Sequence, residues 1–209
     1  MAVFFDPYSN YARTKFRGQM CHGTSSRLVY IKSLVAARKR GKSFKLAYIP
    51  AGGTTNEELE FFASVVWAVG NGQAPLLNVV IEELASCVET NGKLKGKAGE
   101  LLRGGRQYGL VIHSVFQKGQ EVPKTVTDQS SIWWIGAMNT ANDAKWIAER
   151  RGLDVKTITG LKSAKVNKQA IGKPIAEYLL VRDGVDNVEQ GFCQNMVLRG
   201  QHVSKTNQT

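Results

Sequence analysis

Two adjacent carboxylates, Glu82 and Glu83, close the most strand-like run of the sequence, LLNVVIE at 76–82. A carboxylate fixed at the end of an apolar strand can hold a hydrated Mg²⁺, and a neighbouring one can polarise the water that attacks a γ-phosphate. That chemistry needs two acids side by side. The plain alternative is that both residues only cap a solvent-exposed strand end, which is common for one acid and less so for a pair after mostly apolar residues. In open parallel sheets, ligands collect beyond the carboxyl ends of the strands. Glu82-Glu83, the Ser114–Gln117 stretch and the Gly18–Ser25 loop are expected to converge there.

Those positions require strands that alternate with helices. Leu28, Ile31, Leu34 and Val35 recur at helical spacing before Arg38-Lys39-Arg40 and Gly41, a basic last turn and a glycine stop. FKLAYI at 44–49 reads as a buried strand. After a Gly52-Gly53 loop, Thr55 with Glu58 in capping-box spacing opens a helix to about Val69. The continuous apolar character of 76–82 suits a parallel strand covered on both faces. A helix around 97–104 leads to the strand YGLVIHSV at 108–115, and SIWWIGAM at 131–138 is expected as a third strand of the same kind. Thr140 and Asp143 form another capping pair before a helix that stops at Gly152, and AEYLLV at 176–181 reads as a late edge strand. The pattern predicts an α/β fold in one domain over 1–209, with a short polar tail from about 200 to 209.

Length and composition agree with one globular unit: 209 residues, 43% of them hydrophobic, can bury a real core. The net charge of +11 is concentrated. Residues 1–50 carry ten Lys or Arg against one acid, Asp6, while residues 51–100 carry three against seven. Such asymmetry fits a surface that tracks phosphates, with nucleic acid ahead of a membrane surface, although lysines on a solvated helix face would look the same. Cys21, Cys87 and Cys193 share no metal-type spacing and indicate no disulfide framework. His22, His113 and His202 do not cluster, and a hydrogen-bonded core position is expected for His113. Adjacent Trp133 and Trp134 point to opposite faces of a strand, both expected under helices and so used for packing rather than base stacking. MAVFFDPY has no signal-peptide pattern, so no Sec export is expected, and the uncharged stretch 61–81 is broken by a turn at 71–75 and does not read as a membrane span.

Three segments in order, VVIEELASCV at 79–88, RGGRQYGLVIHSVFQKGQEVPKTVTDQ at 103–129 and AERRGLDV at 148–155, resemble the FtsK–HerA superfamily of motor ATPases. Within it, the sequence is most similar to the small genome-packaging ATPases of tectivirus-type, membrane-containing bacteriophages, over roughly residues 18–185. The resemblance implies a three-layer RecA-like P-loop NTPase with a mostly parallel central sheet. It implies ATP and Mg²⁺ as cofactors. The implied partners are double-stranded DNA, further copies of the chain in a homo-oligomeric ring, and capsid or portal vertex proteins that can be membrane-associated. The implied location is the packaging vertex of the virion and the host cytoplasm.

On that resemblance Glu82 falls where the metal-linked acid sits, here in place of the commoner aspartate, and Glu83 where the water-activating glutamate sits. Gln117 falls on the polar sensor of the γ-phosphate. Arg103 and Arg106 lie where such motors present an arginine to the nucleotide of a neighbouring subunit, or where they grip DNA phosphate. GQMCHGTS at 18–25 has a GxxxxG frame, so Gly18, Gly23, Thr24, Ser25 and Ser26 would cradle phosphates and Ser25 would join Glu82 on the metal, with Thr24 where the loop lysine belongs. Arg17 or Arg27 would then supply the missing charge, and an ordinary turn with an N-capping Thr or Ser is the alternative for this stretch. The implied activity is ATP-driven DNA translocation in genome packaging. A catalytically degenerate structural or DNA-binding portal component, and a phage assembly or secretion motor, are the other two functions that the motifs allow.

Overall fold

The computed structural model describes residues 1–72, 75–88, 92–182 and 187–194. The chain falls into two compact units, Met1–Ser130 and Ser131–Thr209, and the polar tail expected at about 200–209 lies outside the described residues.

In chain order the first unit holds β1 (Ala2–Phe5), β2 (Lys15–Phe16), β3 (Gln19–Met20), β4 (His22–Thr24), α1 (Arg27–Arg40), β5 (Lys45–Tyr48), α2 (Asn56–Ala68), β6 (Leu77–Glu82), α3 (Gly96–Gly104), β7 (Leu110–Val115) and α4 (Lys124–Gln129). Five strands form one sheet in the order β4-β5-β1-β6-β7, and every pairing in it is parallel. This is the expected α/β fold of RecA-like type, with helices packed on a parallel sheet. The central strand is one that hydrophobic patterning does not single out: AVFF at 2–5 pairs with β5 on one side and β6 on the other.

Strand alternation explains the packing. Val3, Phe5, Leu46, Tyr48, Leu77, Val79 and Ile81 point to one face and are buried with Tyr30 and Leu34 of α1, Leu59 and Phe62 of α2, and Leu101 of α3. On the opposite face, Phe4, Ala47 and half-buried Val80 meet Tyr11, Ala12, Phe16 and Cys21, contributed by a loop and the β2–β3 hairpin instead of by helices. The strand at 77–82 is therefore fully covered on one face only, a correction to the expectation for both.

Capping chemistry was legible locally. Ser26 caps α1 through Val29 N, Gly41 ends it in the left-handed region, and Thr55 caps α2 through Glu58 N. Glu58 has a larger role than the capping box gives it. Its nearly buried carboxylate accepts from Tyr48 Oη at 2.5 Å, from Arg27 Nε at 3.3 Å and from Gly52 N at 3.3 Å, joining α2 to the ends of β5 and α1. Burial, and then this carboxylate, pushes the Tyr48 hydroxyl up to about 12.

The second unit holds β8 (Trp133–Gly136), α5 (Ala141–Arg151), α6 (Val155–Thr159), α7 (Ala164–Ile171), β9 (Ile175–Val181) and β10 (Val188–Gln194), with an antiparallel sheet in the order β10-β9-β8. Two expectations change here. The run at 131–138 does not extend the parallel sheet but pairs antiparallel with β9, and the run at 176–181 is the middle strand of its sheet, not an edge. Trp133 and Ile135 are buried with Ile147, Ile158, Leu179 and Val181, so Trp133 packs as expected. Trp134 does not: it is 61% exposed and stacks on Tyr178 at 4.0 Å between ring centroids. Gly191 makes room for that pair, since a Cβ there would lie 2.5 Å from the Tyr178 ring.

Ile81 lies on the helix-covered face and is completely buried. Ile81→Ala is expected to destabilise the first unit by about 2–5 kcal/mol, the range for opening a cavity in a packed core. The check is urea denaturation followed by far-ultraviolet circular dichroism and tryptophan fluorescence, with an unchanged midpoint counting against this account of the core.

Candidate functional site

The parallel sheet places the last residue of each strand along one edge. Two strands meet there with chemically useful side chains. Glu82 is the final residue of β6 and pairs with Val115 of β7, and Glu83 donates its backbone N–H to the Val115 carbonyl at 3.1 Å. Gln117 follows two residues after β7.

Glu83 leaves the strand sharply, at φ 49° and ψ 41°, in the left-handed region that costs a non-glycine residue about 1–3 kcal/mol. Its carbonyl accepts from Ser86 N at 2.9 Å, which closes the turn. The turn carries its carboxylate to Gln117, whose Nε2 donates to Glu83 Oε1 at 3.2 Å. Both residues line a cavity of about 300 Å³ with Tyr8, Ala85, Lys118 and Glu121. An acid held out of the strand in a strained conformation, at the mouth of a polar pocket, is placed to accept a proton from water.

Glu82 points elsewhere. On the loop-covered face its Oε1 accepts a short hydrogen bond from Tyr11 Oη, and its Oε2 accepts from Asn10 Nδ2 at 3.4 Å. Burial first, then the Glu82 carboxylate, pushes the Tyr11 hydroxyl well above its ordinary range, so Tyr11 is a donor at any physiological pH. Tyr11 and Asn10 are held in turn by Asp6. This fully buried carboxylate accepts the backbone N–H groups of Asn10 at 2.7 Å, Tyr11 at 3.0 Å and Ala12 at 3.0 Å. Sequence reasoning counts Asp6 only as a charge and misses Asn10 and Tyr11. The available signal is Asp6-Pro7 directly after an apolar run, a turn-initiating pair.

The stretch at 18–26 is not one loop. Gly18, at φ 77°, sits with Arg17, at φ 48°, in the tight turn between β2 and β3. Gly23 and Thr24 belong to β4, paired with Ala47 and Tyr48 of β5. Gly23 answers a packing need, because a Cβ there would fall 2.6 Å from the Ala12 Cβ. Ser26 caps α1. The GxxxxG frame is thus split between a hairpin turn and an edge strand. Ser25 follows β4, three strand positions from β6, which is about 14 Å at the usual strand spacing. Two ligands of one Mg²⁺ lie within roughly 4 Å of each other. Ser25 and Glu82 therefore do not share an ion in this arrangement, which corrects the expected pairing. Arg27 is also committed, ion-paired to Glu57 at 2.8 Å and Glu58 at 3.2 Å and lying over the Phe61 ring.

Arg103 and Arg106 precede β7 and so lie at the opposite end of the sheet from Glu83, about 20 Å away along a six-residue strand. Arg103 Nη1 donates to the Leu94 carbonyl at 2.8 Å, while Arg106 is exposed. His113, on β7, shares a hydrogen bond of 3.0 Å with Asn78 Oδ1 as expected, but it lies at the surface and not in the core; partial desolvation lowers it from the ordinary imidazole value. Among the described residues no group of three or more His, Cys, Asp or Glu converges to hold a metal ion. Mg²⁺ in phosphate sites is commonly held by one or two carboxylates together with the phosphates, and Glu82 fits that share.

No family model matches the sequence. A curated relative, Protein P9 of Pseudoalteromonas phage PM2, is 34% identical over 109 residues, 52% of this chain and 49% of that protein. The chain spans about half the length of that relative. Among solved structures, the genome packaging NTPase B204 from Sulfolobus turreted icosahedral virus 2 superposes with TM-scores of 0.64 in complex with ATP-gammaS and 0.63 in complex with AMPPCP. Each has 13% identity and covers 90% of this chain and 80% of the other. The chain shares the fold of that NTPase. B204 from Sulfolobus turreted icosahedral virus, described as a DNA-packaging ATPase, has a TM-score of 0.61 at 14% identity over the same shares. In this fold the acid pair and Gln117 stand at the carboxyl edge of the parallel sheet, where open α/β folds collect their ligands.

Cys87 sits behind the site, buried, with Sγ 3.7 Å from the Glu83 carbonyl. Burial and then the Glu83 charge push its thiol up to about 12, and burial pushes Cys21 up to about 11. At pH 8 the Cys87 thiol stays protonated and unreactive. A chromogenic disulfide reagent is expected to titrate Cys193 rapidly in the native protein and all three thiols in denaturant; rapid native labelling of Cys87 would show the turn at Glu83 to be open.

Proposed function

We propose that the protein is an ATP-driven translocase of double-stranded DNA that acts in viral genome packaging. The single observation that carries this is Glu83, held at positive φ with its carboxylate on Gln117 at the mouth of a polar cavity, at the carboxyl end of the sheet. Glu83 accepts the proton of the attacking water, and Gln117, tied to it, registers the γ-phosphate. Glu82, steadied by Tyr11 and Asn10, would hold a Mg²⁺ through one carboxylate, and the ion when bound would neutralise charge on the phosphates. The strongest outside support is that the packaging NTPase B204 shares the fold and is described in complexes with ATP analogues.

Arg103 and Arg106 are too far from Glu83 to serve it within one chain. Under this proposal they act on the nucleotide of a neighbouring copy, which makes the working form a ring, assembled with capsid or portal vertex proteins at the packaging vertex or in the host cytoplasm. The net charge of +11 suits a sequence-independent grip on DNA phosphates. Gly18, Gly23, Thr24, Ser25 and Ser26, divided among a hairpin turn, an edge strand and a helix cap, form no single phosphate cradle.

A structural or DNA-binding role in a portal is favoured by that same stretch, which combines Thr24 at the lysine position with a hairpin turn and an edge strand. DNA-stimulated ATP hydrolysis separates the two functions. Glu83→Gln is expected to lower turnover by about 10²–10⁴ fold while a labelled ATP analogue still binds with Mg²⁺. Undiminished turnover in that variant removes Glu83 from the role, and no analogue binding by the wild-type chain at millimolar nucleotide would favour the structural function.

A further inference from the structure

The second unit contains an element that the ATPase site does not use. Residues 155–173 carry five lysines, Lys156, Lys162, Lys165, Lys168 and Lys173, and no acid. They lie on two successive short helices, α6 and α7, joined by Gly160–Ser163, followed by the β9–β10 pair. Ile158 and Leu161 are buried and anchor the connection, while α7 is bound to the unit through one buried residue, Asn167. Asn167 Nδ2 donates to the Ile175 carbonyl at 2.9 Å and to Glu177 Oε1 at 3.2 Å. The other Glu177 oxygen accepts Lys162 N at 2.9 Å, so this carboxylate is engaged in fixing the turn.

That anchoring decides which way α7 faces. Side chains two positions apart point about 200° apart on a helix, so Lys165 and Gln169 lie opposite Asn167, with Lys168 beside them. All three are exposed, and among the described residues no ion pair holds any of the five lysines. A helix lying on a membrane needs a broad apolar outward face; on α7 the face opposite Asn167 is Lys165 and Gln169, with exposed Val166 on one side, Lys168 on the other and Ile171 exposed at the end of the helix. Two helices joined by a short glycine-containing turn, the second projecting Lys and Gln and followed by a β-hairpin, have the layout that places a helix in a groove of duplex DNA.

We propose that α7, with its flanking Lys162 and Lys173, is a DNA-contacting helix that grips the backbone of double-stranded DNA. The choice of double-stranded DNA rests on the function proposed above; the placement on α7 does not. Lys165 and Lys168 take phosphate oxygens, Gln169 reaches the groove between them, and Asn167 holds the helix in register from behind.

The test is duplex binding by the full chain, measured by fluorescence anisotropy without nucleotide across a salt series, so that hydrolysis plays no part. Charge reversal at both Lys165→Glu and Lys168→Glu is expected to weaken Kd about tenfold or more and to lower the salt-dependence slope by about 2, one for each phosphate no longer neutralised. Lys165→Arg with Lys168→Arg is expected to keep the wild-type Kd, with circular dichroism showing all variants folded. Reversal of the same number of charges elsewhere, at Lys97→Glu and Lys145→Glu, controls for net charge. The proposal is overturned if the α7 reversal leaves Kd within twofold of wild type, or if the control pair weakens binding as much. It is also overturned if the reversal removes binding to vesicles containing phosphatidylserine but leaves DNA binding intact. A chain that hydrolyses no ATP yet binds DNA through α7 would leave this inference standing and sink the motor.

Discussion

The carboxyl edge of the sheet depends on one buried interaction, the Asp6 carboxylate receiving three consecutive backbone N–H groups. A fully buried carboxylate is destabilising unless its oxygens are satisfied, and here residues 10–12 satisfy both of them. The loop is thereby pressed against the sheet face where Phe4 stacks with Tyr11 at 4.6 Å, and Gly23 leaves the space that Ala12 needs. Tyr11 and Asn10 then reach Glu82 from a fixed direction. Asp6, just past the central strand, and Glu82 on the neighbouring one are connected through a loop whose backbone is tied down at three successive residues.

The two acids of the pair have separate tasks because the backbone changes direction between them. Glu82 is still in the strand and points to the loop-covered face. Glu83 is past it, turned by its positive φ toward Gln117 and the cavity. Had the strand continued, adjacent side chains would have pointed to opposite faces of the sheet, and Glu83 would have entered the helix-covered core with Ile81. The strained turn converts a core-facing position into one that lines the cavity.

The second unit shows the opposite design. Its helices α6 and α7 are short, and Asn167 is the one buried side chain of α7, so most of that helix's surface is available. A helix held by Asn167 and Glu177 keeps its orientation without using its outward residues for packing. The exposed Trp134–Tyr178 stack on the sheet follows the same pattern, since Gly191 accommodates the Tyr178 ring without a core around it.

Sequence by itself determined the four longer helices and most of their ends, because Ser, Thr and Gly caps act within four residues and leave a local trace at Ser26, Thr55, Thr140, Gly41 and Gly152, whereas the short helices α4, α6 and α7 show too few turns to carry a period. It also determined the strand that ends at Glu82. Only the tertiary structure decided which strand lies at the centre, since AVFF at 2–5 is too short to show a period, and which sheet the run at 131–138 joins, since apolar character does not encode pairing direction. It also decided against a shared metal site for Ser25 and Glu82. Spacing along the chain says nothing of strand order, and strand order sets the distance between two loops on one edge. The partners of Glu82 came from Asn10 and Tyr11, more than seventy residues away, a contact that no local pattern carries.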